Sequence, residues 1–184
     1  MITKEKVLKN AKKFNDTGVK VGVINDKLME MLGPDFISAP CTSKEDLYGA
    51  YEGGLIEHII NTTKHAITVN ASLPGDKQVD NDSIIRVSLL HQIGKSNMFV
   101  QQKNQWRKDN LGENYTWNDE GLSFKVAERS VFYALKSGID LTEDEVFAIY
   151  NYNSDFAQRP MTSKGEKLSA LLKIANQIAT LEVK

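Results

Sequence analysis

An all-α helical bundle with one small β-hairpin excursion is the fold this sequence predicts, and three observations predict it. Apolar residues recur at three- and four-residue spacing along most of the 184 residues. Helix-opening pairs, a Thr or Ser followed three residues later by Glu, stand at Thr42/Glu45, Thr142/Glu145 and Ser163/Glu166. One stretch, 100–120, breaks the pattern by setting Val100, Trp106, Tyr115 and Trp117 among Gln, Asn and Lys. The apolar share, 41%, suffices for a real core, and no linker, repeat or low-complexity run divides the chain, so residues 1–184 read as a single domain.

The elements follow in order. Val7, Leu8, Ala11 and Phe14 mark the inner face of a first helix, with Thr3 as its cap. Residues 21–24 form an apolar run too short to assign. Leu28, Met29, Met31 and Leu32 predict a short second helix, stopped by Gly33-Pro34. Residues 36–40 read as an extended connection, and the pair Thr42/Glu45 opens a turn through Leu47 and Tyr51. After Gly53-Gly54 a strong helix is expected from about Leu55 to Ala71, with Leu55, Ile59, Thr63, Ala66, Ile67 and Asn70 on one stripe. A polar loop, 74–81, leads to a helix capped by Asp82 or Ser83, apolar almost all round and therefore central, ending at Gly94. Residues from about 100 to 118 predict a hairpin turning at Asn110-Leu111-Gly112, the alternative being an irregular loop. Three more helices follow, at about 124–137 with Gly138 behind it, 143–150, and 164–181.

Charge and cysteine content exclude several classes. With 23 Lys and Arg against 24 Asp and Glu, nucleic-acid or anionic-membrane binding driven by charge alone is not indicated. The one cysteine, Cys41, rules out an intrachain disulfide and a Cys-rich zinc site, and a reduced compartment is the simple expectation. The polar start predicts no signal peptide, and no stretch reads as a membrane span.

Three segments carry chemistry: Tyr48-Gly49-Ala50-Tyr51-Glu52-Gly53-Gly54-Leu55-Ile56-Glu57-His58; Ser88-Leu89-Leu90-His91-Gln92-Ile93-Gly94-Lys95; and Ala170-Leu171-Leu172-Lys173-Ile174-Ala175-Asn176-Gln177-Ile178-Ala179. Residues 49–58 resemble the Gly-Ala-Tyr-Glu-Gly-Gly-Leu-x-Glu-His opening of a small phage and prophage type of HD-domain phosphohydrolase. Residues 89–95 are similar to that family's Leu-Leu-His-Asp-Ile/Leu-x-Lys centre except at Gln92. Ala127-Glu128-Arg129-Ser130-Val131 and residues 141–149 echo two further family segments, so the resemblance runs over roughly 36–181.

That resemblance implies a helical HD bundle in which imidazoles and aspartates hold divalent cations that acidify a water and neutralise a phosphate. It also implies that this chain has lost most of the set. His58 and His91 correspond to retained imidazoles. Gln92 and Asn176 stand where the family has aspartates, and Val126 and Tyr152 where it has histidines. Two imidazoles and two amides bring no negative charge to a dication, and valine cannot ligate. Lys95 matches a family lysine beside the phosphate pocket and, with Arg86 or Arg129, is a candidate for anion binding; a solvated helix-end lysine is the alternative. Glu128 and Arg129 could instead pair to hold the pocket wall.

Other residues have plainer readings. Without metal, His58 and His91 become polar core residues bonded to amides such as Gln92 or Asn176. His65 reads as a solvated position at the bundle edge, and Cys41 has no base partner in the pattern. Trp106, Tyr115 and Trp117 suit a base-stacking platform, a partner surface, or simple packing.

The expectation is therefore a catalytically inactive HD-domain protein, phage-encoded, serving as an interaction or structural module for a protein partner. A residual phosphohydrolase acting on nucleotides or phosphodiesters is the first alternative; a non-hydrolysing nucleotide or phosphate sensor is the second. No cofactor is expected. An active form would use Mn, Ni, Co or Mg on His58 and His91. Location is expected in the cytoplasm, that of the host, or in a virion.

Overall fold

The computed structural model describes residues 3–120, 124–154 and 161–182. Its α-helices are α1 (Lys4–Lys20), α2 (Asp26–Leu32), α3 (Gly54–Ala71), α4 (Asn81–Leu90), α5 (Gln105–Leu111), α6 (Val126–Lys136), α7 (Glu143–Asn151) and α8 (Lys164–Glu182). The only strands among the described residues are β1 (Phe99–Gln101) and β2 (Tyr115–Trp117). The fold is all-α with a small antiparallel hairpin, as the pattern predicts.

Helix α3 is the axis of the bundle. Eleven of its residues are buried, from Gly54 to Asn70, and α8 and α4 pack along it. Contacts fix the directions. His58 meets Asn176 and His65 meets Glu182, so α3 and α8 run parallel. Asn70 bonds Val79 and Asn81 at one end while His58 meets Gln92 at the other, so α4 runs antiparallel to α3. The apolar core is continuous, from Phe14 on α1 through Ile56 and Ile59 on α3 and Leu89 and Leu90 on α4 to Leu172 and Ala175 on α8. Among the described residues no helix is long and apolar enough to cross a membrane.

The Gly53-Gly54 pair has a steric cause. Gly53 sits at φ 80°, in the left-handed region. A Cβ on Gly54 would lie 2.1 Å from the carbonyl oxygen of Gly49, so the loop before α3 closes directly on the helix start. The same turn is fastened by Gly53 N–H to Ser38 O, Leu55 N–H to Ala39 O and Cys41 N–H to Gly49 O. This is how Cys41 and Tyr48 are brought over the first turns of α3.

Capping explains most helix boundaries. Thr3 caps α1, Thr142 with Glu145 forms a full box on α7, and Ser163 with Glu166 opens α8. Elsewhere the structure corrects the expectations. Asp80, not Asp82 or Ser83, caps α4 by accepting from Ser83 N–H. Helix α4 stops at Leu90, and a 3-10 turn, Ile93–Lys95, replaces its last predicted turn. Residues 34–38 form a 3-10 turn rather than an extended connection, begun by Pro34. Thr42 and Glu45 cap nothing: the Thr42 hydroxyl donates to Tyr48 O, and Glu45 N–H donates to Gly112 O in a strand-like contact. Leu8 is 67% exposed, so it lies outside the buried face of α1 that holds Val7 and Phe14.

The hairpin differs most. Its strands pair in the register Phe99↔Trp117, Val100↔Thr116 and Gln101↔Tyr115, but α5 fills the space between them, where a tight turn at 110–112 is expected. Asn104 caps α5, and Gly112, at φ 60°, ends it. This polar helix buries no residue, so it lacks the apolar period that reveals the others.

Candidate functional site

The site is built where α3, α4, α8 and the end of α7 converge. His58 projects from the second turn of α3, and His91 caps the C-terminus of α4 with Gln92 behind it. Asn176 faces them from the middle of α8. His58 and His91 are wholly buried, and Gln92 and Asn176 are buried beside them. Because α3 and α8 run parallel, residues 118 apart in sequence meet side by side.

The other three side chains converge on one oxygen of Asn176. Asn176 Oδ1 lies 2.8 Å from His58 Nε2, 3.2 Å from His91 Nε2 and 2.9 Å from Gln92 Nε2. Gln92 Oε1 in turn accepts from Cys41 Sγ at 3.4 Å. The other ring nitrogen of His91, Nδ1, stands 2.7 Å from Ser88 O. A carbonyl can only accept, so the proton of neutral His91 resides on Nδ1 and a lone pair on Nε2 points into the cluster. That tautomer, fixed by a backbone carbonyl, is the one a metal-binding histidine adopts. Here the lone pair meets an amide.

Burial sets the charge state. It pushes the pKa of His58 down to about 3, helped by the neighbouring His91 and opposed by the bond to Asn176. It pushes that of His91 down to about 4, opposed by the bond to Ser88 O and by Asn176 Oδ1, which would accept from a protonated Nε2. Both imidazoles are therefore neutral at pH 7.

Tyrosines enclose the cluster. The Tyr152 ring lies edge-on to His91, with centroids 5.2 Å apart, and Tyr48 packs on His58 at 4.8 Å. Lys95 reaches in from the 3-10 turn, its Nζ donating to Cys41 O at 2.9 Å and to Cys41 Sγ at 3.3 Å, over the Tyr48 ring at 5.5 Å. Lys95 is thus a wall of the site and not a solvated helix-end lysine. Burial raises the Cys41 thiol pKa, with Lys95 offsetting part of the effect, so the thiol stays protonated.

Of the candidate residues, His58, His91, Gln92, Asn176, Tyr152 and Lys95 come together. Val126, at the first position of α6, stands one step away: its carbonyl oxygen would lie 2.2 Å from a Cβ on Gly94. Arg129 and Arg86 do not enter the site. Arg129 bonds Gly94 O and Tyr133 OH and stacks on the Tyr133 ring, bracing α6 on the 3-10 turn, while Glu128 accepts from Lys125 N–H. Arg86 donates to Glu145 at 2.6 Å, to Val21 O at 2.8 Å and to Asp140 O. His65 pairs with Glu182 at 3.0 Å, on the edge of the bundle. Cys41 and Tyr48 are additions to the set. Their signal in the sequence is indirect, since they flank the loop that Gly49 and Gly54 close onto α3.

A hydrolytic metal does not fit this donor set. The cluster holds no carboxylate, and Lys95 adds positive charge beside it. The carboxylate nearest in sequence, Glu57, is bound by Tyr51 OH at 2.8 Å and by Lys6. Among the described residues, no group of three or more His, Cys, Asp and Glu is placed to hold a metal ion. Comparison of the chain with protein-family models, with curated proteins and with solved structures returns no match.

Proposed function

We propose that this chain is an HD-like domain without hydrolytic chemistry, serving as an interaction or structural module for a protein partner. One observation carries the reading. At the positions the HD resemblance assigns to ligands, His58 and Gln92 donate to Asn176 Oδ1, and His91 Nε2 faces the same oxygen at 3.2 Å. The His58 and Gln92 bonds to Asn176 are lost when a cation enters this buried cluster, and its neutral groups return no charge compensation. The helices that present them are intact. A scaffold kept while its carboxylates are exchanged for amides acts through its surface. The phage and prophage likeness would place such a module in a host cytoplasm or a virion.

The test is the metal content of the purified protein after incubation with manganese and exhaustive dialysis, read by elemental mass spectrometry. Well under one equivalent is expected. Near-stoichiometric manganese that disappears in His58→Ala and His91→Ala would overturn the proposal and favour a residual phosphohydrolase, to be assayed with Mn, Ni, Co and Mg.

A second reading rests on Lys95. Its ammonium is enclosed with a thiol, two tyrosines and a backbone carbonyl, and no carboxylate pairs with it among the described residues. A buried cation without a counterion favours an anion, so a phosphate or nucleotide held without hydrolysis is the alternative. A rise in Tm with inorganic phosphate or ATP that is lost in Lys95→Met would support it; no rise at millimolar ligand would remove it.

A further inference from the structure

The outer edge of β1 is an unpaired ladder. Gln102 N–H donates to Asn114 O at 3.0 Å and Asn118 N–H to Met98 O at 2.9 Å. In an antiparallel pair these flanking bonds mean that residues 98, 100 and 102 turn their backbone groups toward β2. Phe99 and Gln101 therefore turn their N–H and C=O groups outward. The same alternation turns Tyr115 outward on β2, and there it is used: Tyr115 N–H donates to Ser43 O at 3.2 Å, beside the Lys44↔Glu113 bridge. On the β1 side, no backbone partner beyond the hairpin is found among the described residues.

Among the described residues, nothing guards this edge. The segment Phe99-Val100-Gln101 contains no proline, charge or bulge, and Val100 is 42% exposed. Clefts of 510 Å³ and 710 Å³ both reach Val100 and Gln101, and both also touch Asn118 at the end of β2.

Charge selects the occupant. The first cleft, which includes Asn97, holds Asp35 and, beside Tyr115, Glu52, and no cation among the described residues. The second, which includes Gln102, holds Lys103 and Lys108 against Glu120. A strand that adds antiparallel to β1 and brings lysine to the Asn97 end, with acidic groups at the other end, is complementary. Another copy of β1 has that arrangement. A two-fold axis at Val100 pairs Phe99 with Gln101 of the second copy and brings its Lys103 opposite Asn97, on the Asp35 side.

We propose that two copies of this chain associate through β1, forming one antiparallel sheet in the order β2–β1–β1–β2. The pairing satisfies the outward groups of Phe99 and Gln101 in both copies and stands independently of any ligand at the histidine cluster.

The experiment is sedimentation velocity of the full chain at low salt, from a few micromolar to roughly 500 µM, because an edge this short gives a weak interface. The wild type is expected to shift from monomer to dimer across that range. Gln101→Pro removes an outward N–H and leaves the β1–β2 bonds in place, so it is expected to remain monomeric with an unchanged circular dichroism spectrum. Asp35→Lys and Lys103→Glu are each expected to weaken the dimer roughly two- to tenfold, and the double variant to recover it. Amide exchange gives an independent readout: the Phe99 and Gln101 amides slow as concentration rises, and that of Tyr115 does not. A wild type that stays monomeric throughout, or a Gln101→Pro variant that dimerises as the wild type does, would overturn the proposal.

Discussion

At the scale of single residues, Asn176 decides the character of the site. Its oxygen gathers two imidazoles and an amide, all neutral. This predicts how stability depends on acid. His58 and His91 titrate near 3 and 4 in the folded chain, against 6.5 ordinarily. Between those values the unfolded chain binds more protons than the folded one, so stability rises with pH across the window. The stabilisation is fully present above about pH 6.5 and is lost as pH falls toward 4, by up to about 1.4 kcal/mol per pH unit for each histidine. Tm measured between pH 8 and pH 4 is expected to fall steeply below 6.5. The fall is expected to be shallower in His91→Gln, which removes one of the two titrating groups.

Of the six positions singled out by resemblance, His58, His91, Gln92, Tyr152 and Asn176 come together and Val126 stands beside them. Four of them, His58, His91, Gln92 and Asn176, share one oxygen. Cys41 was not legible. Nothing in its neighbourhood pairs it with Lys95, 54 residues on, and only the closure of Gly49 onto Gly54 brings the two together.

Single helices were read well where an apolar stripe and a cap agree, as in α7 and α8. They were read poorly where neither pattern operates. Helix α5 buries no side chain, so only Asn104 before it and Gly112 after it betray it. The role of Arg86 was hidden for another reason. From the apolar helix α4 it reads as a stray cation available to a ligand, but its partners lie on α7 and in the loops at Val21 and Asp140, set by tertiary packing alone. Arg86 is the tie between these elements, and Glu145 opposite it is 1% exposed. Replacing Arg86 with Met leaves that carboxylate buried and unpaired. A loss of about 3–5 kcal/mol is expected in urea denaturation, far more than an exposed pair would give.

For the whole molecule, the class was legible in the sequence but the arrangement was not. The parallel course of α3 and α8 is invisible in either helix, since an apolar stripe says which face packs and not which way its partner runs. The division between bundle and hairpin has a measurable counterpart. Both tryptophans of the chain, Trp106 and Trp117, lie in the hairpin and α5, and they are 61% and 49% exposed. Few buried residues tie this region to the core, so it belongs to the low-stability end of the structure. Tryptophan fluorescence is expected to change at lower urea than helical circular dichroism does. Coincident transitions would mean that the hairpin and the bundle unfold as one unit.

The side-by-side packing of α3 against α8 also bears on how the chain is made. Ribosomes add about 5–20 residues per second, so α3 waits on the order of 5–20 s for the helix that covers it. During that time Leu55, Ile56 and Ile59 lack α8, and α1, α4 and the 3-10 turn at 34–38 are the earlier elements that shelter α3. A nascent chain halted before Lys164 would carry an uncovered apolar stripe and depend on chaperones, whereas release of α8 completes the core in a single docking step. The last helix thereby times the folding of the first half of the protein.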